Sequence, residues 1–121
     1  GEYMNDVTIY HNPACSKSRA TLALIKEHGF EPVVIEYLKN PPSRSELMQL
    51  LDDMQLSVRD LIRPNEEVYQ ALELDDDKWG DKQLIDVMTQ YPNLINRPIV
   101  VTRCGTLLCR PPERVLTILP K

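Results

Sequence analysis

Cys15 is the residue whose position in the sequence could support covalent chemistry. It follows the loop His11-Asn12-Pro13-Ala14 and directly precedes a predicted helix that begins near Ser16. The first N–H groups of a helix have no partner within the helix, and the helix dipole adds partial positive charge at the same end. Both effects stabilise a thiolate, the nucleophilic form of cysteine, and the same N–H groups can hold an anion. The position predicts a nucleophilic cysteine beside an anion site; the alternative is a cysteine that only fills a helix start.

Several polar and basic side chains lie close to Cys15 in the sequence. They are the hydroxyl groups of Ser16 and Ser18 and the basic side chains of His11, Lys17 and Arg19. Hydroxyl donors and positive charges both favour the charged form of an acid. We therefore expect the pKa of Cys15 to lie below the free value of about 8.5.

Three arginines directly precede proline, at Arg63-Pro64, Arg97-Pro98 and Arg110-Pro111. A residue before proline is pushed into extended geometry, so it tends to lie at the end of an element, where its side chain can reach into a cleft. The planar guanidinium group makes paired hydrogen bonds to an oxyanion and stays charged. The pattern favours an oxyanion site near Cys15, while a solvated surface role is the alternative for any single arginine.

The spacing of residues excludes several other chemistries. A phosphatase-type loop has an arginine six positions after its cysteine, where this sequence has Thr21. The glycine-rich loops that hold nucleotide phosphates, GxxxxGK and GxGxxG, are absent from the sequence. His11, His28 and the three cysteines do not have the spacing of a zinc site, so no bound metal is expected.

The composition is typical of one folded domain without a nucleic-acid or membrane partner. The chain has 121 residues, of which 42% are hydrophobic, enough for one packed core. A formal net charge of −4 argues against nucleic-acid binding. No apolar run approaches the roughly 18 residues of a membrane span. We expect one domain over residues 1–121, with Gly1 to Tyr3, ahead of Met4, interpreted as an expression remnant.

The three cysteines indicate a reducing compartment. The number of cysteines is odd, no two of them form a CxxC pair, and no secretory signal pattern precedes them; they are Cys15, Cys104 and Cys109. We therefore expect a cytoplasmic protein. Cys104 and Cys109 are interpreted as small buried hydrophobic residues, the usual role of a free cysteine.

The elements that must position these residues alternate in type along the chain. Strands are predicted at residues 7–10, 32–37, 98–102 and 106–109. Helices are predicted at 16–28, after a Ser43–Glu46 capping box, at 58–62 and 66–72, from Asp81, and from Pro111-Pro112. The order is β-α-β, a helical insert over about residues 43–91, then a β-hairpin and a helix. This order predicts an α/β fold with a four-stranded mixed β-sheet flanked by helices.

Several motifs together resemble a known family. They are Tyr10–Cys15 with Ser18-Arg19, Tyr37-Leu38, Asn40–Ser43, Leu61–Arg63, Asn96–Val101 and Leu108–Pro111. From about residue 7 to residue 119, the sequence resembles the glutaredoxin- and glutathione-coupled arsenate reductases, whose fold is thioredoxin-like. One departure lies beside the cysteine, where Ser16-Lys17 stands in place of the Gly-Thr of the best-known members.

The resemblance implies a role for each candidate site residue. Cys15 would be the catalytic nucleophile, which reduces arsenate to arsenite through a covalent thiol–arsenate adduct. The oxyanion and its adduct would be held by Arg63, Arg97 and Arg110. His11 and Ser18 match positions that support the thiolate.

The resemblance also implies the partners of the reaction. Glutathione would be the co-substrate, with no cofactor bound, and glutaredoxin would regenerate the enzyme. We expect the protein to be a monomer. Thioredoxin-like folds place a cis-proline beside the nucleophile, so the Arg97-Pro98 bond is predicted to be cis.

Two alternatives have the same fold. The first is a redox-sensing transcription regulator that binds RNA polymerase. Such regulators use a CxxC pair, whereas Ser18 occupies the second position here, and they leave the three arginines without a purpose. The second is a glutathione-dependent thiol reductase that acts on another substrate, which fold alone does not distinguish.

Overall fold

The computed structural model describes residues 6–121, so the interpretation of Gly1 to Tyr3 concerns residues outside the described part. The chain divides into two compact units. One contains the chain up to Asn40 together with Arg97–Lys121, and the other is Pro41–Asn96. The helical insert predicted over about residues 43–91 falls within the second unit. The assignment of all 121 residues to one domain stays a prediction.

The first unit is built on a β-sheet. Its strands are β1 (Val7–His11), β2 (Val33–Glu36), β3 (Ile99–Thr102) and β4 (Gly105–Leu108). They lie in the order β2-β1-β3-β4. β1 pairs in parallel with β2, and the pairs β1–β3 and β3–β4 are antiparallel. The predicted four-stranded mixed sheet is confirmed.

Helix α1 (Ser16–Glu27) connects β1 to β2 and packs its inner face on the sheet. The alternating burial along β1 places Val7 and Ile9 in the core. The helix ends at His28, and Gly29 follows with a φ of +87°, a conformation that favours glycine. The buried core of this unit consists of Val7, Ile9, Ile25, Val100, Cys109, Val115 and Ile118. β1 and α1 thereby fix the loop that carries Cys15.

The second unit is helical. Its helices are α2 (Arg44–Met54), α3 (Val58–Leu61), α4 (Glu67–Ala71) and α5 (Asp81–Gln90), followed by a 3-10 helix at Pro92–Leu94. The predicted Ser43–Glu46 capping box is present at the start of α2. The start of α5 differs from the prediction, because Gly80 is the N-cap and its N–H donates to Gln83 Oε1 (2.8 Å). Asp81 is therefore the first residue of α5 rather than its cap.

The end of the chain also differs from its prediction in detail. The element after β4 is a 3-10 helix, Pro112–Thr117, in which Pro112 and Val115 are buried. Pro111 is the N-cap and Pro112 the first residue of this segment, and six residues are a length at which 3-10 helices occur. Across residues 6–121, none of the helices is both long and apolar enough to cross a membrane.

The two non-catalytic cysteines lie in different surroundings. Cys109 is fully buried in the sheet unit, as predicted. The prediction for Cys104 is wrong: it is exposed, in the turn between β3 and β4. A tight two-strand turn projects its residues into solvent, and this effect outweighs the general tendency of cysteine to be buried.

Candidate active site

Cys15 is the N-cap residue of α1, with extended backbone angles (φ −95°, ψ 124°). Its N–H donates to the carbonyl oxygen of Asn12 (3.0 Å), which closes the turn between β1 and the helix. The backbone N–H groups of Ser18 and Lys17 lower the pKa of Cys15, although its sulfur makes no side-chain capping hydrogen bond. The helix start therefore points its free N–H groups at the sulfur, as its position in the sequence predicted.

Two arginines from the other end of the chain reach the same sulfur. The Arg97 side chain donates a hydrogen bond to Cys15, and Arg110 Nη1 lies 4.0 Å from Cys15 Sγ. Arg110 Nη1 also donates to the Arg97 carbonyl oxygen (2.9 Å), which links the two arginine segments. The predicted cis bond at Arg97-Pro98 is confirmed, and Arg110-Pro111, which was not predicted, is cis as well.

The pKa of Cys15 is lowered to about 7. Burial would raise the pKa, but the Ser18 N–H, the Arg97 guanidinium and the Lys17 N–H stabilise the thiolate and outweigh burial. Near neutral pH, roughly half of the Cys15 side chains are therefore thiolates. The lowered pKa that the sequence predicted for Cys15 is found.

His11 and Ser18 form a buried pair behind the sulfur. Ser18 Oγ lies 2.7 Å from His11 Nδ1 and accepts from the Asn12 N–H at 3.0 Å. Burial lowers the pKa of His11, and the charges of Arg19 and Lys26 add to this effect, whereas Glu36 opposes it. A neutral His11 can accept the Ser18 hydroxyl proton at Nδ1.

These contacts change what His11 and Ser18 were expected to contribute. His11 does not supply the positive charge that its residue type suggested, because its buried imidazole favours the neutral form. The Ser18 hydroxyl is engaged by His11 and Asn12, so Ser18 reaches the sulfur through its backbone N–H. Their support of the thiolate stays a prediction, with Ser18 in direct contact and His11 behind it.

Arg63 belongs to the helical unit, where its side chain is held firmly. Arg63 Nε donates to Glu66 Oε2 and its Nη1 donates to Asn96 Oδ1, both at 3.2 Å. The structure thus brings Arg97 and Arg110 to Cys15, whereas the convergence of Arg63 on the same site stays a prediction.

Comparison with protein families shows where this arrangement of Cys15 and arginines occurs in known proteins. The sequence profile described as the ArsC family matches residues 10–118, a range that contains Cys15 and all three arginines. The chain belongs to the ArsC family.

Curated relatives and solved structures agree with the membership in the ArsC family. The chain is 62% identical to an arsenate reductase of Acidiphilium multivorum, over 97% of this chain and 83% of the relative. It is 60% identical to an arsenate reductase of Escherichia coli, over 96% and 82%. The solved arsenate reductase from Vibrio cholerae is 48% identical, with a TM-score of 0.90 over 93% of this chain and 97% of that one. The predicted thioredoxin-like fold is confirmed.

The ArsC-family site can act as a nucleophile beside an anion. A thiolate with a pKa of about 7 is both populated and reactive at neutral pH. Two guanidinium groups and the helix N–H groups next to it can bind the oxygens of a tetrahedral oxyanion. Among residues 6–121, no group of three His, Cys, Asp or Glu side chains could hold a metal ion.

Sequence reasoning missed one residue that shapes the Cys15 loop and one residue that contacts Arg63. Asn12 Oδ1 accepts from the Ala14 N–H (3.0 Å), which is an Asx-turn, and its backbone contacts both Cys15 and Ser18. The Asn12-Pro13 pair is a turn signal that could have indicated this role. Glu66 was also missed, because nothing in the sequence connects it to Arg63 beyond a spacing of three.

Proposed function

We propose that this ArsC-family protein is a glutathione- and glutaredoxin-dependent arsenate reductase that uses Cys15 as its nucleophile. The observation that carries the proposal is the Cys15 sulfur itself. It has a pKa of about 7 and lies against helix N–H groups, the Arg97 side chain and Arg110. Relatives that are 62% and 60% identical are named arsenate reductases, which favours arsenate as the oxyanion.

The first step forms a covalent adduct. The Cys15 thiolate attacks arsenic, an S–As bond forms, and one As–O bond breaks as that oxygen leaves as water after taking up protons. Arsenic remains As(V). Arg97 and Arg110 stabilise the charge that develops on the remaining oxygens, because fixed donors are more effective at a partly buried site than in water. Arg63 is the third arginine in this role.

The second step reduces arsenic. The thiolate of glutathione attacks the Cys15 sulfur of the adduct, and the S–As bond breaks with its electron pair remaining on arsenic. Arsenic becomes As(III) and leaves as arsenite, while the two sulfur atoms are oxidised to a mixed disulfide. Glutaredoxin then attacks the glutathione sulfur and releases the Cys15 thiolate, which completes the cycle.

The positions of the other cysteines support an external thiol. Burial raises the pKa of Cys109 to about 12, and its side chain lies in the core. Cys104 follows β3, whose Thr102 pairs with Val7 at the far end of β1 from Cys15. The five residues of β1 between these ends span about 13 Å at roughly 3.3 Å per residue, so Cys104 cannot reach Cys15 without unfolding.

The cellular setting follows from the same chemistry. Cys15, Cys104 and Cys109 are all free thiols. The proposed cycle needs reduced glutathione and glutaredoxin, which supports the cytoplasm as its location. A monomer is sufficient, because the proposed roles use residues of one chain.

The decisive experiment is reduction of arsenate by the purified protein with glutathione and glutaredoxin, measured as arsenite formed. Turnover that requires all three components supports the proposal. Turnover of disulfide substrates but not of arsenate would indicate a thiol reductase with another substrate. RNA polymerase binding without turnover of either kind would indicate the transcription regulator.

A further inference from the structure

Glu66 places a carboxylate next to Arg63. A negative charge is unexpected there, because the proposed function assigns Arg63 to the binding of an oxyanion. Its Oε2 accepts from Arg63 Nε at 3.2 Å, and its Oε1 accepts from Asn93 Nδ2 at 3.0 Å. The Arg63 and Glu66 side chains are only 17% and 23% exposed. Most ion pairs on protein surfaces contribute little, but this one is partly buried, and the second carboxylate oxygen of Glu66 is held by Asn93.

The backbone around Arg63 is fixed as well. The Arg63 N–H donates to the Leu94 carbonyl (2.8 Å), and the Asn96 N–H donates to the Leu61 carbonyl (2.9 Å). Between these bonds, Ile62 and Ile95 form an antiparallel bridge. The bridge places Leu94 opposite Arg63 and Asn96 opposite Leu61. The Asn96 side chain reaches Arg63 diagonally, and its Oδ1 accepts from Arg63 Nη1 at 3.2 Å.

Glu66 does not serve the helix that it precedes. It is the N-cap residue of α4, yet its side chain makes no capping hydrogen bond there. Asp, Ser, Thr and Asn at this position normally accept from the first N–H groups of the helix. The carboxylate is instead directed at the Arg63 guanidinium and at Asn93.

These contacts occupy part of the Arg63 guanidinium and leave one edge of it available to bind an anion. A guanidinium has five N–H groups in a plane, and Glu66 takes the Nε–H while Asn96 takes one Nη1–H. The remaining N–H groups are on Nη1 and Nη2, which form the fork that binds two oxygens of an oxyanion. We propose that Glu66, with Asn93 and Asn96, is a positioning residue that holds Arg63 with this fork presented to the oxyanion. The inference rests on the proposed function, in which Arg63 binds arsenate.

The proposal fixes the sign of a mutational effect. If Glu66 acted on arsenate only through its charge, removing that charge would strengthen anion binding. If Glu66 positions Arg63, Glu66→Gln and Glu66→Ala weaken the reaction. Glutamine replaces one of the two acceptor oxygens with an NH2 group, which would face a donor of Arg63 or Asn93, and alanine accepts from neither. Glu67→Gln is the matched control, since Glu67 is the exposed next residue in the first turn of α4.

The first test is a double-mutant cycle in arsenate reduction. Glu66→Ala lowers kcat/KM for arsenate by roughly 5- to 20-fold, a loss within the range of coupling between directly bonded partners. KM for glutathione and the activity of Glu67→Gln stay within about twofold. In the Arg63→Ala background, Glu66→Ala has no further effect. A rise in kcat/KM on neutralising Glu66, or the same loss with and without Arg63, would overturn the proposal.

The second test does not depend on arsenate. The Nε–H of Arg63 is observed by proton–nitrogen NMR, assigned by its absence in Arg63→Lys. A slowly exchanging, dispersed signal that moves to the free-arginine position in Glu66→Ala, but not in Glu67→Gln, supports positioning. An unchanged signal in Glu66→Ala rejects it. A fixed signal in a wild-type protein that does not reduce arsenate would reject the proposed function while leaving the Glu66–Arg63 contact established.

Discussion

At the scale of single residues, the chemistry depends on how the Cys15 sulfur is held. Lys17 and Ser18 contribute backbone N–H groups rather than side chains, and Arg97 supplies the charge. Substitution of the lysine or serine side chain leaves these N–H groups in place. The local helix start therefore carries much of the activation.

Cys15→Ser should abolish arsenate reduction, because a serine hydroxyl is not ionised at neutral pH. Cys104→Ser and Cys109→Ala should retain most of the activity, since Cys104 lies in a solvent-exposed turn and Cys109 is inert in the core. Arsenite formed by the three variants is the measurement. Turnover by Cys15→Ser would remove the nucleophile assignment.

The reactivity of Cys15 should rise with pH through a midpoint near its pKa of about 7. Only the thiolate is alkylated, so the rate falls about tenfold per pH unit well below the midpoint and levels off above it. The rate of iodoacetamide modification between pH 5 and 9 measures it. A midpoint at or above the free value of about 8.5 would contradict the activated thiolate.

Arg63, Arg97 and Arg110 should each be sensitive to replacement by lysine. A single ammonium group cannot reproduce paired hydrogen bonds to an oxyanion. Each lost charge-assisted contact costs about 1.5–3 kcal/mol. We therefore expect kcat/KM to fall roughly 10- to 100-fold at each position.

The control for these substitutions is Arg44→Lys. Arg44 is the first residue of α2 and pairs with Asp86, which is 60% exposed, so the substitution should leave kcat/KM nearly unchanged. Steady-state kinetics of the four variants decides the matter. Equal losses at Arg44 and at the other three would reduce the arginines to ordinary surface charge.

At the scale of elements, the start of one helix contributes to stability and the start of another contributes to function. Ser43 caps α2 in a reciprocal capping box with Glu46: the Glu46 N–H donates to Ser43 Oγ at 3.2 Å and the Ser43 N–H to Glu46 Oε1 at 3.4 Å. Cys15 occupies the same N-cap position in α1 but makes no side-chain capping hydrogen bond. The Lys17 and Ser18 N–H groups at that helix start stabilise the thiolate instead.

Ser43→Ala should lower the free energy of unfolding by about 1 kcal/mol, the usual cost of losing an N-cap side chain. Ser43→Asp should retain the stability of the wild type, because a carboxylate accepts the same hydrogen bond and interacts favourably with the helix dipole. Urea unfolding of the two variants compares them. Equal stability of wild type and Ser43→Ala would show that the box contributes nothing to α2.

At the scale of the whole molecule, the separation of its cysteines determines how the cycle must close. In a single turnover without glutaredoxin, the mixed disulfide between Cys15 and glutathione should accumulate. Mass spectrometry of the intact protein and its peptides identifies it. A disulfide between Cys15 and Cys104 or Cys109 would instead show that the chain resolves the adduct itself.

The sequence by itself determined the local features of this protein. The position of Cys15 at a helix start, the capping box at Ser43 and the types of the main elements depend on neighbouring residues and on periodicity. The arginine–proline pattern selected Arg97 and Arg110 because residue type and backbone restriction are also local. These properties do not need a tertiary contact to be recognised.

Only the tertiary structure decided which of these groups meet and how they are charged. Arg97 and Arg110 reach Cys15 because β3 pairs antiparallel with β1, which brings together segments that are distant in the sequence. His11 is buried and favours its neutral form, whereas its residue type suggested a positive charge. Burial and hydrogen-bond partners set a pKa, and both are created when distant segments pack together.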